Sequence, residues 1–179
     1  MSRIGKIPII VPKGVKVQCA AASVQVEGPK GKLALSLPSG IKVEQKEDKL
    51  IVNRLNGLKQ DKANHGTIRA HLVNMLTGVT QGHRKDLEIQ GVGFKAQAQG
   101  VKVLLNLGFS HAIEFDVPKD VKVSTPKPTE IIIEGVDKAM VGQTAAQLHT
   151  LKPPEPYKGK GIRYVGEVVK RKQGKSVTK

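Results

Sequence analysis

Five histidines are the side chains in this sequence best suited to metal binding or acid–base chemistry near neutral pH. They are His65, His71, His83, His111 and His149. No pair has the spacing of an HExxH zinc motif, and the single cysteine, Cys19, lies far from all of them along the chain. No nucleophile and base stand in a known catalytic motif. The sequence therefore predicts a protein that is not an enzyme and has no metal ion, no cofactor and no small-molecule substrate.

The run Gly91-Val-Gly-Phe-Lys95 is similar to a phosphate-binding loop. It lacks the third glycine of a GxGxxG motif, and residues 94–99 have the pattern of a strand, not of a helix start. A dinucleotide site is therefore not predicted. The two glycines favour a bulge or a close approach within a sheet, and Lys95 is a candidate for an outward-facing contact.

Positive charge is concentrated toward the ends of the chain. The 179 residues include 30 Lys and Arg against 15 Asp and Glu, a formal net charge of +15. Residues 83–151 carry 8 basic and 8 acidic side chains, whereas residues 152–179 carry 9 and 2, a difference of +7. Nucleic acid is the expected polyanionic partner, because phosphate neutralisation releases counterions. An anionic membrane is the weaker alternative and is not expected as a partner. No stretch approaches the roughly 20 apolar residues needed to cross a bilayer, so no membrane-spanning helix is predicted.

The C-terminal basic segment has the composition of an RNA contact. The prolines of residues 153–156 favour an extended, stiff spacer that carries the following residues away from the preceding helix. If the chain stays extended, Lys158 and Lys160 share one face. Gly159 and Gly161 would then let a phosphate backbone approach closely.

Both tyrosines of the chain, Tyr157 and Tyr164, bracket this glycine-lysine segment. Their rings can stack on unpaired bases or pack on sugars, or they can simply cover the domain beside a solvated basic loop. Residues 163–169 have the pattern of a short strand. The remaining basic residues form a tail too polar to pack alone, which we expect to become ordered on RNA. They include Lys170, Arg171, Lys172 and Lys175.

The N-terminus offers a second basic patch, because Arg3 and Lys6 precede any acidic residue. His65 falls on the helical stripe of Ile68, and Arg69 follows one turn later. Two interpretations of His65 stay open. It is either a helix-edge histidine bonded to a neighbour, or it faces RNA together with Arg69.

The chain contains an internal duplication. A shift of 80 positions aligns residues 28–43 with residues 108–123 without a gap and superposes Gly28 on Gly108 and Pro38 on Pro118. In each half, alternating strand patterns precede one stripe of apolar residues at helical spacing. This predicts an α+β fold of two tandem duplicated domains, each an antiparallel sheet with one packed amphipathic helix. The predicted boundaries are 1–82 and 83–152, followed by a basic C-terminal extension at 153–179.

Several motifs resemble the bacterial-type ribosomal protein L-six family of the large subunit. They occur in the family's order over nearly the whole chain and comprise Met1-Ser-Arg-Ile-Gly-Lys6, Gly28-Pro-Lys-Gly-Lys-Leu33, His65-Gly-Thr67 with Arg69, Gly91-Val-Gly-Phe94, Gly108-Phe-Ser-His111 and Pro154-Glu-Pro-Tyr-Lys-Gly-Lys-Gly-Ile-Arg-Tyr164. Residues 148–152 contain less arginine than the family usually has, and Phe94 stands where tyrosine is common.

The resemblance implies a structural constituent of the large ribosomal subunit, cytoplasmic and located in the ribosome near the translation-factor site. Its implied partners are large-subunit ribosomal RNA, bound mainly through the second domain and the extension, and neighbouring ribosomal proteins. A protein-interaction scaffold with a nonspecific basic tail is the alternative. The candidate RNA-binding residues are Arg3, Lys6, His65, Arg69, Lys95, Tyr157, Lys158, Gly159, Lys160, Gly161, Arg163, Tyr164, Lys170, Arg171, Lys172 and Lys175.

Overall fold

A computed structural model describes residues 3–174, and within this range the chain forms two helices and thirteen strands. The helices are α1 (Lys59–Thr80) and α2 (Lys138–Leu151). The strands are β1 (Ile9–Ile10), β2 (Lys16–Cys19), β3 (Ser23–Gly28), β4 (Gly31–Ser36), β5 (Ile41–Lys46), β6 (Lys49–Arg54), β7 (His83–Gln90), β8 (Lys95–Gln99), β9 (Lys102–Asn106), β10 (Ile113–Asp116), β11 (Val121–Lys127), β12 (Glu130–Gly135) and β13 (Gly161–Tyr164).

The described residues divide into two compact units. The first extends to His83 and also holds Val136–Lys138, and the second takes the remainder. The predicted domain boundaries at 82/83 and 152/153 stay a prediction.

Both units repeat one strand arrangement. The first contains the sheets β1-β6-β5 and β2-β3-β4, and the second contains β7-β12-β11 and β8-β9-β10 in the same orders. The second unit adds β13 to the free edge of β7. The predicted α+β fold with a tandem duplication is therefore confirmed, and β13 is the element that distinguishes the second half.

Helix α1 lies in the core of the first unit because one of its faces is apolar. Its buried side chains include Ile68, Leu72 and Val79, as the helical spacing predicts. They pack with residues of β3, β5 and β6 such as Val24 and Leu50. The helix begins nine residues before Ile68, so it includes His65, which is among its buried side chains.

Helix α2 takes the corresponding place in the second unit. It begins directly after Asp137 and ends two residues before Pro153, close to the predicted limits. Its buried Val141, Ala145 and Leu148 pack with strand residues that include Ile131 and Ile133. The basic segment follows directly after the C-terminus of α2.

The strand-like pattern of Val15, Val17 and Cys19 predicts a small buried thiol, but Cys19 is exposed at the end of β2. The alternation of β2 does turn Val17 toward the first core. The strand ends at Cys19, and no neighbouring element of the described chain covers it there. Partial burial nevertheless raises the pKa of the thiol.

Candidate nucleic-acid interface

The basic segment is part of the second unit and not a separate extension. We call residues 152–164 the basic loop. Its last four residues are β13, which runs antiparallel to β7 with Gly161 opposite Gln90 and Tyr164 opposite Leu87. Ile162 is fully buried in the second core. The strand therefore begins two residues earlier than predicted and fixes the loop at its C-terminal end.

The proline run does not form an extended spacer, and this expectation is wrong. The Gly159 amide donates to the Glu155 carbonyl over 3.0 Å, and the Glu155 amide donates to the Lys160 carbonyl over 2.9 Å. The Ile162 amide then donates to the Lys152 carbonyl over 2.8 Å. These bonds return the chain to the end of α2, because three backbone bonds outweigh the local preference of proline for extended structure.

The two glycines of the loop are required by its own packing. Gly161 has a φ of +143°, and a Cβ there would lie 2.6 Å from the Pro153 carbonyl oxygen. A Cβ on Gly159 would lie 3.1 Å from the Arg171 guanidinium. Both glycines are buried, so the expectation that they admit a phosphate backbone is corrected. They let the loop turn tightly instead.

The loop presents two lysines with free charges. Lys158 is exposed within the turn and Lys160 is half-buried beside it. Among residues 3–174, neither ammonium group has an ion-pair partner. The exposed Tyr157 ring precedes them. These three side chains therefore remain candidates for the RNA contact that the sequence predicts.

The beginning of the basic tail lies against the loop. The Lys172 amide donates to the Pro156 carbonyl over 2.7 Å, and the Arg171 guanidinium lies over Gly159. Lys170, Arg171 and Lys172 are all exposed. Arg171 and Lys172 therefore lie against the loop and add two exposed charges beside it. Ordering of the tail on RNA stays a prediction. Lys175 lies outside the described residues.

Arg163 is neutralised within the protein, which corrects its assignment as a phosphate contact. Its Nε and Nη2 donate to one carboxylate oxygen of Glu88 over 3.2 and 2.9 Å. Both side chains are largely covered. A guanidinium paired in this way has little remaining attraction for phosphate.

Tyr164 is also occupied within the fold. Its ring stacks on His149 with centroids 5.3 Å apart, and Lys85 Nζ lies 5.7 Å from its centroid. The backbone amide of Tyr164 donates to Glu167 over 2.9 Å. The structure therefore favours the interpretation in which this tyrosine covers the domain, and base stacking by Tyr164 is no longer expected.

The N-terminal candidates fall into two groups. Arg3 and Lys6 are exposed. His65 is only 3% exposed, and its Nε2 lies 2.9 Å from the Val52 carbonyl oxygen. Arg69 is half-buried and donates to the Ile7 carbonyl over 3.4 Å. An RNA contact by His65 is therefore corrected to a packing role, and Arg69 holds the N-terminal segment.

Lys95 is exposed at the start of β8, as predicted. The turn before it brings the Phe94 ring against Gly91, where a Cβ would lie 2.6 Å from the ring. This is the close approach that the glycine pattern indicates.

Several lysines elsewhere have carboxylate partners. A hydrogen bond from Lys102 holds the pKa of Glu114 below its ordinary value and raises that of Lys102 itself. Lys127 donates to Glu130 over 2.7 Å, and this hydrogen bond raises the pKa of Lys127. Exposed pairs of this kind contribute little to stability, but they compensate the charge of these two lysines. Lys158 and Lys160 have no such carboxylate partner among residues 3–174.

Sequence reasoning missed Lys85, Lys152 and Phe109. Lys152 Nζ lies 4.6 Å from the centroid of the Phe109 ring, and Lys85 lies near Tyr164. The signal for Lys85 is the pairing of β13 with β7, which a single sequence does not reveal. Phe109 could have been found from the sequence, because this aromatic residue belongs to no strand or helix pattern and is therefore expected in a loop.

Within residues 3–174, no cluster of three potential metal ligands is present, and neither helix is long and apolar enough to span a membrane.

Comparison with known proteins gives a consistent result over the whole chain. The sequence matches the family described as Ribosomal protein L6 at residues 11–82 and 90–165. It is 47% identical over 179 residues to a large ribosomal subunit protein uL6 of Chlorobium phaeovibrioides, covering 100% of both chains. Proteins of the same name from Lactococcus lactis subsp. cremoris MG1363 and Gemmatimonas aurantiaca are 49% and 50% identical over 176 residues, which is 98% of this chain and 99% and 98% of theirs.

Proposed function

The chain belongs to the ribosomal protein L6 family, and on this premise we propose that it binds large-subunit ribosomal RNA with the basic loop as its principal contact. Proteins of this family are structural and non-enzymatic, so the chain is a cytoplasmic ribonucleoprotein component that acts in translation within the large ribosomal subunit. Its partners are ribosomal RNA and other ribosomal proteins.

The observation that carries the proposal is the grouping, in and beside the basic loop, of positive charges that have no carboxylate partner. Lys102 and Lys127 already have carboxylate partners within 2.7 Å. Lys158 and Lys160 have none in the described chain and stand beside the exposed charges of residues 170–172. A phosphate near the loop meets uncompensated positive charge, and its counterions are released on contact.

The geometry of the loop supports the same proposal. Backbone hydrogen bonds and β13 hold the turn before any partner binds. The loop therefore loses little conformational entropy on binding, so more of the electrostatic attraction is retained as affinity. Recognition of this kind reads the position of phosphates and the shape of an RNA more than its base sequence.

The test is the salt dependence of binding between the purified chain and large-subunit RNA. Lys158→Ala and Lys160→Ala should each weaken binding and reduce the slope of log affinity against log salt by about 0.7 to 0.9, the contribution of one phosphate contact. Lys102→Ala is the matched control, because it removes an exposed lysine whose charge is already paired. Its slope should equal that of the parent.

Equal slopes for the parent and the three lysine variants would show that the basic loop does not contact RNA phosphates. Binding that persists unchanged at high salt would favour the protein-interaction scaffold instead, because apolar protein interfaces do not depend on counterion release.

A position near the translation-factor site is the finer part of the proposal, and it is supported by the family resemblance. A photocrosslinker at Tyr157 in intact large subunits tests it. Crosslinks to ribosomal RNA should change, or extend to the factor itself, when a translation factor is bound. Identical crosslinks in both states would contradict this location.

A further inference from the structure

The aromatic side chains of the chain divide into two groups. The sequence has three phenylalanines and two tyrosines. Phe94, Phe115 and Tyr164 pack against the second core. Phe109 and Tyr157 are 43% and 54% exposed. Tyr157 belongs to the basic loop. Phe109 belongs neither to that loop nor to the side chains that pack against the second core.

The loop that contains Phe109 is anchored to the core by the residues directly before it. Leu107 is fully buried directly after β9, and Gly108 follows with a φ of +75°. A Cβ on Gly108 would lie 2.8 Å from the Phe94 ring, so a side chain is excluded at this position. Residues 108–112 are then exposed. This arrangement directs Phe109 outward from a fixed base, because the chain is anchored immediately before it.

A cation lies beside the exposed ring. Lys152 Nζ is 4.6 Å from the Phe109 centroid, within the range of a cation–π contact. Lys152 also begins the basic loop, where its carbonyl oxygen accepts from Ile162. The Phe109 ring and the basic loop are therefore adjacent parts of one surface of the second unit.

The surroundings of Phe109 favour RNA over an apolar protein partner. Residues 105–113 contain no acidic side chain, and Ser110 and His111 offer polar groups next to the ring. The nearest acid along the chain, Glu114, is paired with Lys102. An exposed aromatic face with an adjacent cation and no acidic residue in its own loop matches the requirements of an unpaired nucleotide, which presents a flat base and a phosphate.

We infer that Phe109 and Lys152 form a second RNA contact, in which an unpaired base stacks on the ring of Phe109 and Lys152 neutralises the phosphate of that nucleotide. This inference rests on the proposed function and extends it from phosphate recognition to the binding of an unpaired base. It also gives a role to Lys152, which the sequence pattern did not single out.

The test measures binding of naked large-subunit RNA to the full chain. Phe109→Ala should reduce affinity about 5- to 150-fold, the range for loss of one stacked base, without changing the salt slope. Lys152→Ala should reduce the slope by about 0.7 to 0.9. Phe109→Trp should retain the affinity of the parent. Val92→Ala is the control, because Val92 is an apolar side chain of the same unit that is 92% exposed.

Ultraviolet crosslinking supplies a measurement that does not depend on the stability of a variant. In the parent complex, RNA should crosslink to a peptide that contains Phe109. An unchanged affinity for Phe109→Ala, or no crosslink at this peptide, would overturn the inference. If Lys158→Ala still reduces the slope in that case, the proposed function stands. If no lysine variant changes the slope, the proposed function fails as well.

Discussion

Gly5→Ala tests the interpretation of His65 as a packing residue. A Cβ at Gly5 would lie 2.4 Å from Nδ1 of His65 and 2.5 Å from its Cε1. The His65 ring has little room to move away, because it is buried and its Nε2 forms a hydrogen bond with the Val52 carbonyl oxygen over 2.9 Å. The substitution must therefore displace the N-terminal segment or break that hydrogen bond.

The expected loss of stability follows from these two alternatives. Overpacking of a core costs about 1 to 3 kcal/mol, and leaving a buried acceptor unsatisfied costs a similar amount. We expect about 2 kcal/mol, which corresponds to a decrease in Tm of roughly 8 to 16 °C for a domain of this size. Displacement of the segment would also move Arg3 and Lys6, since both flank Gly5.

Calorimetry and urea unfolding of the full chain measure the effect on the first unit. Gly57→Ala is the matched control, because a Cβ there meets no atom within 4 Å. His65→Ala removes the obstructing ring, so adding Gly5→Ala to it should cost much less than Gly5→Ala alone. A change below about 0.5 kcal/mol for Gly5→Ala, or additive effects in the double variant, would refute the packing argument.

Two further outcomes separate structural from RNA-binding roles in the second unit. Arg163→Ala should lower the free energy of unfolding by about 1 to 2 kcal/mol, because it leaves the partly covered Glu88 without its partner. Its salt slope should equal the parent's, and a decrease of about 1 would restore Arg163 as a phosphate contact. Gly161→Ala should weaken RNA binding without removing a charge, so the affinity falls in titrations while the salt slope is unchanged. A parent-like affinity would contradict the close packing of Gly161 against Pro153.

The duplicated fold was predictable because its signals are local and occur twice. Each half repeats the alternation that buries Leu50 and Val52, or Ile131 and Ile133, and each ends in one apolar helical stripe. Apolar residues that recur with a period of 2 or 3.6 indicate the buried face of a strand or helix, whichever element packs against that face. The strand order followed from the structure, since pairing partners are not encoded in periodicity.

The parts of the site that sequence reasoning assigned wrongly depend on partners distant along the chain. Arg163 is paired with Glu88 across 75 positions, and Tyr164 stacks on His149 from another element. His65 has the backbone of Val52 as its partner. A basic or aromatic residue looks the same in sequence whether its partner is RNA or the protein itself. Lys158 has no such partner in the described chain, and its contact with RNA stays a prediction.

The basic loop shows why charge density alone is an incomplete guide to an RNA contact. Of the three charges that the sequence offers in residues 158–163, one is used internally by Glu88, and two are held outward by a turn that depends on Gly159 and Gly161. A flexible chain of the same charge would lose conformational entropy on every phosphate contact. In the proposed RNA contact, the glycines therefore contribute to affinity through the geometry of the lysines. Lysine variants should consequently change the salt slope, and glycine variants the affinity at constant slope.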